Sequence, residues 1–299
     1  MLAALDGRRE AHPFKTQSSM NFSPLMKVSK KGIDIMIPYK DSYALITGAS
    51  KGLGSAYAKA LAQRGANLVL VARSLEPMER LAVELRSKHR VRIETIQADL
   101  TDVSSVGQIA KRLTQLQIRI DLLVNNAGAG LSGRFLGHTV ENEISQINLN
   151  VQGLVALTHH FGHEMAARGM GGIINISSNS AFQPVPYMTT YGATKAFLLM
   201  FTEGIAEEMR NTGVRVMVAC PGPTATQFFD QAPTTMKASQ MDSAEFVAHR
   251  TLKDFEQGKV VSYPGRTSVR ILTWSARFMP RSKAAKIAAL FSRKMGYAD

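Results

Sequence analysis

Tyr191 and Lys195 stand four residues apart in Tyr-Gly-Ala-Thr-Lys, a spacing that puts a phenol and an ammonium on one face of a helix. A free tyrosine, with a pKa of about 10, is a poor proton donor or acceptor at neutral pH. A lysine held one turn away stabilises the phenolate and draws that pKa toward the working range. Taken alone the pair is weak, because the same spacing arises by chance in many helices. A second constellation adds weight. Gly48-Ala49-Ser50-Lys51-Gly52-Leu53-Gly54 follows an apolar run and leads into a helical stretch. Glycines there let backbone approach a pyrophosphate and leave free N–H groups at a helix start.

Such groups need a scaffold, and the chain supplies a regular one. Short apolar runs at 42–48, 67–73, 92–99, 121–128, 172–178 and 214–222 read as buried strands. Between them lie helical stretches, such as 54–65, whose apolar positions recur every three or four residues. Strands alternating with helices predict right-handed βαβ units and an α/β fold, a doubly wound parallel sheet with helices on both faces. Residues 1–40 show no sustained periodicity and are expected to form a loose basic leader, with Met20 and Met26 as alternative starts. A single domain over 41–265 and a basic amphipathic helical tail over 266–299 complete the expected organisation.

Composition narrows the classes. The chain has 299 residues, 45% hydrophobic and 20% charged, which suits one α/β domain. No run of about 18 uncharged apolar residues occurs, so a spanning helix is not expected. The opening MLAALDGRRE places charges where a secretory signal needs an apolar core. Cys220 is the lone cysteine, which fits a reducing compartment and a cytoplasmic protein. The formal charge of +13 is concentrated at the ends. Residues 1–40 carry seven Lys/Arg against three acids and 266–299 carry eight against one, whereas 41–265 hold 21 against 19. A near-neutral body argues against nucleic-acid binding. His159, His160 and His163 fall in a helical stretch away from the motifs, and no metal site is expected there.

The second strand ends Val71-Ala72-Arg73, with no acid to accept a ribose 2′-hydroxyl. Arg73, with Lys51 inside the glycine loop, can instead embrace a 2′-phosphate, because a guanidinium donates two parallel hydrogen bonds. NADP(H) is therefore the expected cofactor.

Together these residues resemble the short-chain dehydrogenase/reductase family over about residues 40–260. Thr47–Gly54 is similar to its cofactor loop, Asn125-Asn126-Ala127-Gly128 to its sheet-end motif, and Pro221-Gly222-Pro223-Thr224-Ala225-Thr226 to its nicotinamide-side loop. Ser178 stands thirteen residues before Tyr191, as the family requires, and Asp99 matches the residue that contacts adenine, with Leu100 beside it. The resemblance implies a Rossmann-type fold and a catalytic set of Ser178, Tyr191, Lys195 and an asparagine. Asn148 and Asn150 both lie in QINLNVQG, and Asn150 is chosen because it precedes a small residue, Gly153, by three. Ser178 would bond the substrate oxygen, Tyr191 would pass the proton, and Lys195 would hold the nicotinamide ribose and lower the tyrosine pKa. The implied partner is a small substrate on a homodimer or homotetramer.

Phe182, Val185, Pro186, Tyr187, Met188, Phe228 and Phe229 point to an apolar pocket for a carbonyl compound such as a 3-oxoacyl thioester, a ketosteroid or an aldehyde. The segments AAFQPVPYMTTYGATKAF and VACPGPTATQF are most similar to a bacterial-type branch named after the teichoic-acid D-alanylation operon. A more distant resemblance runs to 3-ketoacyl-CoA and 17β-hydroxysteroid reductases. In the tail, Ser282 is expected to cap a helix with Ile287, Leu290, Phe291 and Met295 on one face, flanked by Lys283, Lys286, Arg293 and Lys294. That face suits an anionic membrane surface, and equally packing on the body or a partner subunit. A non-catalytic NADP-binding sensor or scaffold is the alternative function; loss of Ser178, Tyr191 or Lys195 would favour it, and all three are present.

Overall fold

A computed structural model of the chain describes residues 38–267, 270, 271, 273 and 278–298, together with the strands at 26–29 and 32–35. Those two strands, β1 (Met26–Ser29) and β2 (Gly32–Ile35), pair with each other. The leader expected to be loose therefore contains paired strands, too short and too interrupted by lysines and glycine to register as a period.

In the rest of the chain a strand follows each short apolar run. They are β3 (Tyr43–Thr47), β4 (Asn67–Ala72), β5 (Ile93–Gln97), β6 (Leu122–Asn125), β7 (Gly171–Ile176) and β8 (Val214–Ala219). The short β9 (Thr224–Ala225) and β10 (Asp242–Ser243) pair beyond the sheet, and β11 (Val261–Ser262) adds an edge. The seven-stranded sheet runs β11-β8-β7-β6-β3-β4-β5, with every neighbouring pair parallel. Helices among the described residues include α1 (Gly52–Ala62), α2 (Leu75–His89), α3 (Ser104–Gln115), α4 (Val140–Ile147), α5 (Gly153–Ala167), α6 (Thr189–Glu208), α7 (Ala244–Glu256) and α8 (Arg281–Lys294). The strands are apolar on both faces because both are covered. On one face Ile46, Leu68 and Leu70 meet Tyr57 and Leu61 of α1, Met78 of α2 and Phe255 of α7. On the other, Leu45, Val69 and Val71 meet Ile109 of α3 and Leu157 and Phe161 of α5.

Chain direction across the sheet reverses between β3 and β6, and a crevice opens there at the carboxyl ends. Thr47, fully buried, closes its floor. Its hydroxyl accepts from the backbone N–H of both Asn126 and Ala127, each at 2.9 Å. Asn126 answers by donating its side-chain amide to the Thr47 carbonyl at 2.9 Å. Replacing Thr47 by valine keeps the shape and strands two partly buried N–H groups. Thr47→Val should lose about 2–4 kcal/mol, or about 3–6 °C in melting temperature, whereas Thr47→Ser should lose far less. Equal melting of the valine variant and wild type would show that the hydroxyl does not hold this junction.

Candidate active site

Above that floor lies a cavity of about 560 Å3. Its first wall is the turn from β3 into α1, where Ser50, Lys51, Gly52 and Leu53 line the space. Gly48 has φ +64°, and a Cβ there would lie 2.9 Å from the Cα of Ala127. Gly54 does not line the cavity; a Cβ on it would lie 2.2 Å from the Gly48 carbonyl oxygen, so it lets the turn close on itself. No side chain caps the start of α1, and its first turn holds no acid. Free N–H groups therefore face the cavity, an arrangement suited to a pyrophosphate.

Arg73, immediately past β4, is exposed and lines the cavity. Lys51 is exposed as well, 4.0 Å from Asp230 beyond β9. Asp99 and Leu100 stand at the same end, where Asp99 accepts from the N–H and hydroxyl of Thr101 at 3.0 and 2.9 Å. Asn126, Ala127 and Gly128 line the middle, with Pro221, Gly222, Thr224 and Thr226 across from them.

At the far end the chain brings together Ser178, Tyr191 and Lys195. Ser178 follows β7, and its hydroxyl accepts from the Ser180 N–H at 3.1 Å and donates to Asn179 at 3.3 Å. Tyr191 opens one edge to the cavity, yet burial pushes its phenol up to about 12, an effect countered by a hydrogen bond from Ser178. Lys195, buried one turn on in α6, is pulled down to about 8 by the same loss of water. Its ammonium donates to the Ile176 carbonyl at 2.8 Å and stands 5.6 Å from the Tyr191 ring centre. In this arrangement a hydrogen bond from Ser178 lowers the Tyr191 pKa against the effect of burial.

Asn150 sits behind the wall and is fully buried in a wide turn, Asn148–Gln152, between α4 and α5. Its amide accepts from the Ala129 N–H and donates to the Ala129 carbonyl, both at 2.9 Å, and donates to Thr194 at 3.0 Å. A Cβ on Gly128 would lie 3.1 Å from Asn150 and 3.4 Å from the Lys195 ammonium, so only glycine leaves them this close.

Of the apolar residues anticipated around Tyr191, Val185, Met188, Phe228 and Phe229 line the cavity. Phe182, Pro186 and Tyr187 do not: Phe182 faces the ring of Tyr263 at 5.7 Å in a separate core cluster. The Phe228 ring lies 5.3 Å from that of Tyr191. The tail brings more than sequence reasoning anticipated. The helix begins at Arg281, with Pro280 rather than Ser282 at its cap. Ile287, Phe291 and Met295 line the cavity, while Leu290 is 64% exposed. Tyr297 is buried in one cluster with Met188 and Ala232, against which Tyr191 and Phe228 pack. The i, i+4 spacing of Ile287, Phe291 and Met295 was the available signal. It marks an apolar stripe without saying what the stripe faces.

Residues 42–237 match the family described as short chain dehydrogenase. The chain is 36% identical over 198 residues to very-long-chain 3-oxoacyl-CoA reductase-A of Danio rerio, a match covering 65% of this chain and only 61% of that protein. Among solved structures, a short-chain dehydrogenase from Sphingobium yanoikuyae in complex with NADPH is similar. It superposes with a TM-score of 0.71 and 33% identity, covering 78% of this chain and 92% of that one. The bulky-bulky ketone specific alcohol dehydrogenase from Comamonas testosteroni gives 0.69 and 33%, covering 79% and 92%.

The buried ammonium of Lys195 carries a measurable signature. Its pKa falls on folding, so between about 8 and its ordinary 10.5 the unfolded chain binds more protons. Stability must therefore rise with pH in that window. Tyr191 acts oppositely, its raised pKa costing stability only above its ordinary 10.0. Denaturant titrations of the ligand-free protein should show wild type gaining on Lys195→Met from pH 7 to about 10. A constant difference between the two would show that this ammonium is solvated.

Proposed function

The chain belongs to the short-chain dehydrogenase family, and from that premise we propose that it is an NADP(H)-dependent oxidoreductase interconverting an apolar carbonyl compound and its alcohol. The observation that carries the reading is one cavity with two chemically different ends. The uncapped start of α1 stands at one, and Ser178, Tyr191 and Lys195 stand together at the other. The nicotinamide supplies or accepts the hydride when bound. Everything else falls to the chain.

Ser178, whose hydroxyl donates to Asn179 at a long 3.3 Å, turns that proton to the substrate oxygen. Tyr191 gives its phenolic proton to that oxygen in reduction and takes it back in oxidation. Lys195 binds ribose hydroxyls and keeps its charge near Tyr191. Asn150 positions the 127–129 turn and, through Thr194, the catalytic helix. The apolar lining by Met188 and Phe228 beside Tyr191 supports a hydrophobic substrate and excludes water from the proton path. The printed names of the relatives, a 3-oxoacyl-CoA reductase and a ketone-specific alcohol dehydrogenase, support the carbonyl chemistry. Kinship with the D-alanylation-operon branch is part of the proposal and brings no substrate with it.

Arg73, with Ala72 where an acid would select NAD, supports preference for the phosphorylated cofactor. We extend the proposal to association. Exposed Val140, Ile144 and Met200 on α4 and α6 support a homo-oligomer. The outward Leu290 and Phe278, set among Lys283, Lys286 and Lys294, support peripheral contact with an anionic membrane.

Tyr191→Phe should abolish turnover by several orders of magnitude while leaving NADPH affinity nearly unchanged, since only the transferable proton is lost. Retention of more than about a tenth of wild-type kcat with a reduced ketone or aldehyde would remove Tyr191 from the reaction. Arg73→Ala should raise KM for NADPH about ten- to a hundred-fold, the worth of one charge-assisted contact, with little effect on KM for NADH. Equal changes for both cofactors would place Arg73 away from the 2′-phosphate.

A further inference from the structure

The C-terminal helix is not where a minimal cofactor-binding body needs it. Ala284, Ile287, Ala288, Phe291 and Met295 of this segment all line the catalytic cavity. Eleven residues of helix rise about 16 Å, so this stripe makes a long wall rather than a point contact. Facing it are Phe228 and Met188, which also border Tyr191.

The helix is seated on the body by directed contacts at its end. The Met295 carbonyl accepts from the Thr235 N–H at 3.0 Å and the Thr234 hydroxyl at 3.1 Å, and the Lys294 carbonyl from the Thr235 hydroxyl at 3.0 Å. Arg293 donates from Nε to the Tyr187 hydroxyl at 2.9 Å, with its guanidinium 5.8 Å over the Tyr187 ring. Tyr187 holds φ +66°, a left-handed backbone that a bulky side chain rarely adopts. Its carbonyl accepts the Gly133 N–H at 2.9 Å, so the unusual turn is held from both sides. Four residues later comes Tyr191.

We propose that α8 is the specificity element of this active site, with Phe291 as the residue that selects for an elongated apolar carbonyl compound laid along the helix, and with the Arg293–Tyr187 contact seating it. The inference rests on the carbonyl-reductase reading. A compact ketone reaches Tyr191 without touching α8; a long alkyl ketone buries its chain against Ile287 and Phe291. The apolar stripe, which the sequence left open between a membrane surface, a partner subunit and the body, thereby has its use within the chain.

The test uses the full-length protein, NADPH, and two probes, methyl octyl ketone and cyclohexanone. Wild type should favour the octyl ketone. Phe291→Ala and Arg293→Ala should each lower kcat/KM for it about tenfold, chiefly through KM. Cyclohexanone turnover and NADPH affinity should change less than about twofold. Proportional loss for both ketones, or none for either, overturns the inference. Calorimetric titration of methyl octyl ketone into the NADP+-saturated protein reads binding apart from turnover. No binding by wild type, or equal affinity in wild type and Phe291→Ala, also overturns it. Binding that Phe291→Ala weakens, with no turnover of either ketone, supports the role of α8 and instead overturns the oxidoreductase reading.

Discussion

Two backbone turns from distant parts of the chain meet at the centre of the sheet, and the site depends on how closely they approach. One runs from β3 into α1, the other leaves β6 through Asn126-Ala127-Gly128. Thr47 joins them with one hydroxyl that accepts two backbone N–H groups. Glycine at 48 and 54 is required because a Cβ at either would strike backbone. If either turn moved outward, the free N–H groups of α1 and the catalytic end of the cavity would no longer share one ligand-sized space. The same junction is anchored beneath by polar side chains within the sheet. Asn125 donates to Asn175 and Thr158, and Asn175 to Thr202, at 2.9–3.0 Å, a fully buried ladder linking β6, β7, α5 and α6. Such a chain specifies register where apolar packing alone would tolerate slippage.

The catalytic end illustrates how burial works against the chemistry that the same burial protects. Removing water raises the Tyr191 phenol and lowers the Lys195 ammonium, because each prefers its neutral form. A neutral phenol is the right state for donating a proton to a carbonyl oxygen. Taking a proton from an alcohol needs the phenolate, which requires nearby positive charge. Ser178 provides a hydrogen bond toward that state, and the Lys195 ammonium stands 5.6 Å from the ring.

Much of this was legible in sequence because it depends on local pattern. Strand runs such as NLVLVA and GGIINI, and the glycine loop, announce elements whose relative placement the parallel βαβ rule then dictates. Tyr191 and Lys195 are marked by a spacing that gains weight only beside the glycine loop, and Ser178 by the family resemblance. Less legible was anything set by tertiary contact. Phe182 has the composition of a pocket residue but turns to Tyr263. β11 has two residues and no periodicity of its own, and exists because β8 offers an unpaired edge. The role of Asn150 is visible only once Ala129 and Thr194 are placed around its amide.

The tail shows why an amphipathic pattern underdetermines function. Ile287, Phe291 and Met295 recur at helical spacing beside lysines and arginines, which is what a membrane-surface helix looks like and equally what a cavity wall looks like. The hydrophobic stripe says that one face avoids water; the partner decides what that means. Here the partner is found from polar atoms rather than apolar ones. Two threonines bond the last carbonyls of the helix, and one arginine bonds a tyrosine near the catalytic turn. Apolar contact is non-directional and could hold α8 at several rotations, but these hydrogen bonds admit one. That single rotation turns Phe291 toward the cavity and leaves Leu290 outward.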